Sequence, residues 1–158
     1  MTVLLDNTVL SNFSTIQRPD LVRAAFVEPV GTTEQAFQEM QDGIAIGKIP
    51  DSDWNWLTRV ELTSTEKAQF ETFYEYLGAG EASCLAAAKG RGCRLATDDK
   101  DARRLARQLS ISLTGTIGIL AILVKQGQIT LEEGDRFLQE MIAAGYRSPL
   151  VALKELFA

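Results

Sequence analysis

The sequence predicts an α/β protein built on a central parallel, doubly wound sheet. Short, wholly apolar runs such as Val3-Leu4-Leu5 alternate with stretches of helical periodicity, the pattern of buried strands joined by crossover helices. Two of those runs end in acids, at Asp6 and at Asp98-Asp99, as strands do when a site forms at their carboxyl ends. The length, 158 residues with 46% hydrophobic content, suits one ordinary domain over residues 1–158.

The elements follow in order. Val3 to Leu5 reads as a buried strand. Residues 7–17 place Val9, Leu10, Phe13 and Ile16 on one helical face, and Pro19 opens a second short helix. Pro29-Val30-Gly31 reads as a break, with Thr32 or Thr33 capping a helix through about Met40. Trp56 to Leu62 has strand character. Thr63 and Glu66 form a capping-box pattern for a helix through Tyr76. After the Gly78-Ala79-Gly80 turn, Glu81 to Lys89 is an alanine-rich helix ended by Gly90 and Gly92. Cys93 to Thr97 is a strand, Asp101 to Gln108 a helix and Ile111 to Leu113 a short strand. Thr116 to Lys125, Leu131 to Ala144 and Pro149 to Phe157 read as closing helices, with Gly127 and Gly145 at C-caps.

The chain contains no histidine. That removes Ser-His-Asp and Cys-His catalysis, imidazole proton shuttles and most transition-metal sites. Cys84 and Cys93 form no C-x-x-C pair and read as buried, reduced thiols. Acid–base or metal chemistry here must therefore run on Asp and Glu. A net charge of −5 gives no global attraction to nucleic acid. The start of the chain carries Asp6 where a signal peptide wants a basic and then apolar run, and the apolar stretch near Ile117–Val124 is too short to span a bilayer. The expected location is the cytoplasm, with no membrane contact.

Asp6, Asp98, Asp99 and Glu81 can meet at one sheet edge if the first strand and the strand ending at Thr97 are neighbours. Two unit charges about 5 Å apart repel by roughly 3 kcal/mol at an effective dielectric near 20. Several carboxylates in one crevice thus need protons or a cation. All-oxygen ligands suit magnesium or manganese, and metal-assisted hydrolysis of a phosphodiester matches that chemistry. Taken singly, Asp6, Glu81 and Asp99 are equally well explained as helix caps or first-turn acids, and Glu39 as a solvated helix residue. Their conjunction favours a site.

At these residues the sequence resembles the PIN-domain family, in particular the VapC-like toxins and a related prokaryotic branch. The resemblance rests on LLDNTVLSNF, GEASCLAAAKGRG, LATDDKDARRLA, and LTGTIGILAILVKQGQIT with MIAAGYRS, in that order along almost the whole chain. It implies a Rossmann-like three-layer α/β/α fold and a magnesium- or manganese-dependent ribonuclease. It also implies a small antitoxin partner. By that resemblance Asp6 matches the first acid, Glu81 the third and Asp99 the fourth, with Asp98 beside it as a second candidate. Glu39 falls near the second acid, where Glu34 competes. Thr8 stands where relatives carry Ser or Asn and can bond a metal-bound water; Thr97 precedes the paired aspartates. A homodimer, which relatives often form, is left open.

Seven of the 16 basic residues lie between 89 and 107, around Asp98-Asp99. They suit phosphate contact or a solvated helix face equally, with Arg103, one turn after Asp99, slightly favoured for RNA. Trp54, Trp56, Phe70, Phe73, Tyr74 and Tyr76 read as core or protein interface before base stacking. The Phe70–Leu77 stretch suits an antitoxin or a second subunit. A catalytically weak or inactive module on the same fold is the alternative, its acids serving as caps. A phospho-accepting receiver wants a pair of acids after the first strand, where only Asp6 stands, and a C-terminal DNA-binding helix pair would carry Glu132, Glu133, Asp135 and Glu140 against phosphate. Both rank low. The nuclease reading requires Asp6, Glu81 and Asp99 to converge on one solvent-open pocket.

Overall fold

The structure, a computed structural model, describes residues 2–157. Five strands make one all-parallel sheet among these residues: β1 (Val3–Leu5), β2 (Val30–Thr33), β3 (Thr58–Val60), β4 (Arg94–Ala96) and β5 (Leu113–Thr114), in the order β3-β2-β1-β4-β5. The helices are α1 (Asn7–Thr15), α2 (Pro19–Ala25), α3 (Glu34–Ala45), α4 (Ser64–Tyr74), α5 (Ala79–Arg91), α6 (Lys100–Gln108), α7 (Thr116–Lys125) and α8 (Leu131–Ala143). They flank the sheet in a three-layer α/β/α arrangement of Rossmann-like kind. α1 packs on α2, α3 and α8, while α5 packs on α4, α6 and α3. No described helix is long and apolar enough to cross a membrane.

β1 is central and buried on both faces, which is why Val3, Leu4 and Leu5 are all apolar. It pairs with β2 on one side and β4 on the other, so the chain reverses its winding direction across β1 and β4. The ends of β1 and β4 therefore form the topological switch point, the place where open parallel sheets leave a crevice.

Helix starts follow the polar residues that cap them. Asp6, Thr33, Asp99 and Thr130 accept hydrogen bonds from first-turn amides, and Thr63 forms the predicted reciprocal box with Glu66. Pro19 sits in the first turn of α2, and Gly92 adopts the left-handed cap that ends α5, with Gly90 still inside the helix.

Several expectations are corrected. Val30 to Thr33 is not a break but a buried strand, with Thr33 capping α3 as expected, and α3 runs past Met40 to Ala45. Gly31 permits this pairing: a Cβ there would lie 3.0 Å from the Thr58 carbonyl oxygen of β3. The strand expected over 56–62 is only Thr58–Val60, at the sheet edge, and the last strand is Leu113–Thr114 rather than 111–113. The expected helix over 149–157 reduces to a 3-10 turn at Leu153–Leu156. The Asp135 carboxylate accepts the Leu153 amide at 2.5 Å and Glu155 accepts the amides of Val151 and Ala152, so side chains meet this segment's backbone needs instead of a helix.

Candidate active site

Asp6 follows β1 directly, and its carboxylate is completely buried. One oxygen, Oδ1, accepts the amides of Thr8 (3.0 Å) and Val9 (3.2 Å) and the hydroxyl of Thr8 (2.5 Å). The other, Oδ2, accepts the Thr97 hydroxyl. Each threonine is itself set by β4's end: the Asp98 amide donates to Thr8 Oγ1 at 2.9 Å, and the Asp99 amide donates to Thr97 Oγ1 at 3.1 Å. Two parallel relays thus run from the backbone after β4, through one hydroxyl each, to the two oxygens of Asp6. This explains why threonines stand at both positions: a hydroxyl accepts and donates at once.

Of the two competing glutamates, Glu39 is the one that reaches the residue after Asp6 and the turn before Glu81. From α3 its Oε2 accepts Asn7 Nδ2 at 2.7 Å, and its Oε1 accepts the Gly80 amide at 2.6 Å, in the first turn of α5. Glu34 instead faces Arg59 at 3.8 Å on the exposed side of the sheet edge. Both glycines of the 78–80 turn make room for the glutamates. A Cβ on Gly80 would stand 3.1 Å from Glu39 Oε2, and one on Gly78 would stand 2.7 Å from Glu81 Oε2 and 3.8 Å from Glu39 Oε1.

Glu81 is buried in the first turn of α5. Burial pushes its carboxyl above the usual range, and the negative charges of Glu39 and Asp99 push further. Burial raises Asp6 to about 8, opposed by the Thr8 and Thr97 hydrogen bonds and aided by Glu81 and Asp98. Asp98 is also raised by burial. Asp99 caps α6, its Oδ2 accepting the Ala102 amide at 2.8 Å. The five acids are therefore one electrostatically linked set, drawn from the ends of β1 and β4 and from α3 and α5. None takes part in an ion pair among the described residues; those pairs are Arg18–Asp20, Arg59–Glu34, Arg91–Glu66 and Arg104–Asp101.

Asp6 and Glu81 are buried, whereas Glu39, Asp98 and Asp99 are half-buried. Asp6 has no solvent exposure. Two surface hollows, one lined by residues including Ala88, Cys93 and Ile111 and the other by Phe26, Val30 and Trp56, lie at the opposite, amino ends of the strands. Among the described residues no group of three or more acidic or cysteine side chains is gathered as the ligands of one ion, and Asp6 directs both its oxygens at protein donors. The donor set still fits a hard divalent cation by its chemistry: the donors are oxygens, Asp6, Glu81, Glu39 and Asp99 make no ion pair among the described residues, and burial raises the carboxyls that such an ion would hold deprotonated.

Arg103 turns inward. Its Nη1 donates to the carbonyls of Thr97 (2.7 Å) and Thr114 (3.0 Å), tying the ends of β4 and β5 together. Arg91 is held by Glu66, Arg104 by Asp101, and Lys89 by Gln69. Lys100 and Arg107 remain on the exposed side of α6 without ion pairs among the described residues. Trp54 is core, donating Nε1 to Ser14 Oγ at 2.8 Å. Sequence reading assigned no role to Asn7, Asn12, Thr116 or Tyr146. All four face the acids, and each lies inside a motif quoted above, so the motifs were the available signal.

The family model that matches residues 2–157 describes a PIN domain. No curated protein matches the chain. PIN domains are generally nucleases, act on nucleic acid and typically use divalent metal ions. With a match over nearly the whole chain, on an all-parallel sheet flanked by helices, this chain belongs to the PIN-domain family.

Proposed function

We propose that this protein is a divalent-metal-dependent endoribonuclease, the toxin of a type II toxin–antitoxin pair of the VapC-like kind, working in the cytoplasm as a single domain. The observation that carries the proposal is the burial of Asp6 and Glu81 without an ion pair, beside the half-buried Glu39, Asp98 and Asp99, at the switch point of a PIN-domain sheet. Asp6, Glu81 and Asp99 are the proposed holders of Mg2+ or Mn2+, with Glu39 and Asp98 completing the acidic set. Such an ion lowers the pKa of a bound water and neutralises charge on the phosphate.

The chain's own groups do the rest. Thr8 and Thr97 fix both oxygens of Asp6. Asn7 and the Gly80 amide hold Glu39 beside Glu81. Glu39, outside the holding trio, would take the proton released as water attacks phosphorus in line; the P–O3′ bond breaks and the leaving 3′ oxygen takes a proton from solvent, giving a 5′-phosphate and a 3′-hydroxyl. Lys100, exposed in the first turn of α6 directly after Asp99, would bind the RNA backbone. Tyr74 and Tyr76, about half and three-quarters exposed at the end of α4, offer an aromatic surface to an antitoxin beside the turn that carries Glu81. Cys84 and Cys93, both buried and unbridged, support a reducing compartment.

RNA incubated with Mg2+ or Mn2+ should be cut by the wild type, and not after EDTA or by Asp6→Asn. Equal cleavage under all these conditions would remove the proposal. One observation favours a second reading, a weak or inactive module: Asp6 and Asp98 are already engaged by protein donors. Calorimetry separates the two readings, since an inactive module has no manganese site that Asp99→Asn abolishes.

A further inference from the structure

Asp98 and Asp99 are adjacent, yet the structure spends them differently. Asp99 uses Oδ2 on the first turn of its own helix, at Ala102. Asp98 reaches to two other helices. Its Oδ1 accepts the Thr116 amide at 2.8 Å, and its Oδ2 accepts the Thr116 hydroxyl at 2.5 Å and Asn12 Nδ2 at 3.0 Å. Asn12 also donates to Thr116 Oγ1 at 3.1 Å, closing a triangle between α1, α7 and the turn after β4. A Cβ on Gly115 would lie 2.6 Å from Asp98 Oδ1, so only glycine allows this approach. Arg103 and Tyr146, from α6 and the segment after α8, stand close enough for their charge and hydroxyl to be felt. A carboxylate offers about four acceptor sites, and three protein donors already point at this one.

The same turn sets Asp6. The Asp98 amide holds Thr8 and the Asp99 amide holds Thr97, and both hydroxyls grip Asp6. We propose that Asp98 is a positioning residue that latches the Thr97–Asp99 turn to Asn12 of α1 and Thr116 of α7, keeping Asp99 and Asp6 in register while taking no place among the cation's ligands. The latch itself stands on these contacts; the cation clause rests on the nuclease reading.

The test compares Asp98→Asn, Asp99→Asn and the reciprocal pair Asn12→Asp/Asp98→Asn, which restores an amide-to-carboxylate contact with the roles exchanged. Hydrogen exchange over residues 97–103 reads the latch without any activity. It should quicken at least about tenfold in Asp98→Asn, the scale of a lost hydrogen bond to a charged group, and return to within about threefold of wild type in the reciprocal pair. Calorimetric Mn2+ affinity should fall less in Asp98→Asn than in Asp99→Asn and recover in the reciprocal pair, as expected of a residue that orients the ligands and a residue that is one of them. On RNA, Asp98→Asn should lower kcat with KM held, and the reciprocal pair should recover kcat. Thr116→Val, which removes one hydroxyl from the triangle, repeats the exchange reading if Asp98→Asn does not fold. Unchanged exchange, a folded reciprocal pair without recovery, or Mn2+ affinity falling as far in Asp98→Asn as in Asp99→Asn each overturns the inference. A wild type that neither binds Mn2+ nor cuts RNA removes the nuclease reading instead, and the exchange result still decides the latch.

Discussion

The two ends of α5 each bury a glutamate, and they treat it in opposite ways. At the carboxyl end, Glu66 of α4 meets Arg91 through two hydrogen bonds of 2.9 Å and also closes its own helix's capping box. The guanidinium beside it holds its carboxyl below the usual range. At the amino end, Glu81 has only other acids as charged neighbours, Glu39 and Asp99, and its carboxyl is pushed up. Both are largely shielded from solvent. An acid buried for structure comes with its cation; an acid buried without one stores unfavourable charge that protons or a metal ion must relieve. That difference separates scaffold from candidate site within one helix.

The contrast breaks first at activity. Asp6→Asn should abolish RNA cleavage by on the order of 10³-fold, the scale for losing a charge-stabilising group at a reacting centre, while Glu66→Gln should leave kcat unchanged. Gel assays with both variants check this. In stability the order reverses. Arg91→Met leaves Glu66 buried without its partner and should cost about 2 kcal/mol in denaturant unfolding, less than a fully buried pair because Arg91 is partly exposed. Asp6→Asn should cost less than about 1 kcal/mol, since asparagine also caps helices and is neutral without binding a proton or a cation.

The pH dependence should differ in sign. Glu66 has a lowered carboxyl, so its contribution is present above the ordinary glutamate range and is lost as pH falls through the folded-state value. Asp6 is raised from 3.8 to about 8, so the metal-free folded state binds more protons between those values and loses stability as pH rises through that window. Unfolding curves of metal-free wild type against Asp6→Asn and Glu66→Gln, from pH 3 to 8, should show the two opposite slopes. A last contrast concerns the scaffold alone. Trp54→Phe removes the bond to Ser14 Oγ and should cost about 1 kcal/mol with no change in cleavage, read by thermal unfolding and the same gels.

The sequence revealed the sheet where strands are apolar and central. Val3-Leu4-Leu5 and the run ending at Thr97 are legible because both faces are buried. β2 was not, because Gly31-Thr32-Thr33 has the composition of a turn and a cap; its strand identity comes from pairing with β1 and β3, a tertiary fact. The candidate acids Asp6, Glu81 and Asp99 were legible from their places after strands and a turn. Glu39 could be preferred over Glu34 only once α3 was set against Asn7 and Gly80. Arg103 looked like a phosphate ligand by spacing, and the two carbonyls it serves lie on separate strands that spacing does not join. Asn12, Thr116 and Tyr146 are far apart in the chain, and their meeting at Asp98 depends on three helices closing over one turn.

The central claim, that the acids at the carboxyl edge of the sheet are short of a cation, is tested most directly by thermal unfolding as Mn2+ is added. Tm of the wild type should climb with Mn2+ concentration as linkage requires, and Asp6→Asn/Glu81→Gln should show no climb while Glu66→Gln still does. A wild-type Tm indifferent to Mn2+, or an equal climb in the doubly substituted protein, would contradict it.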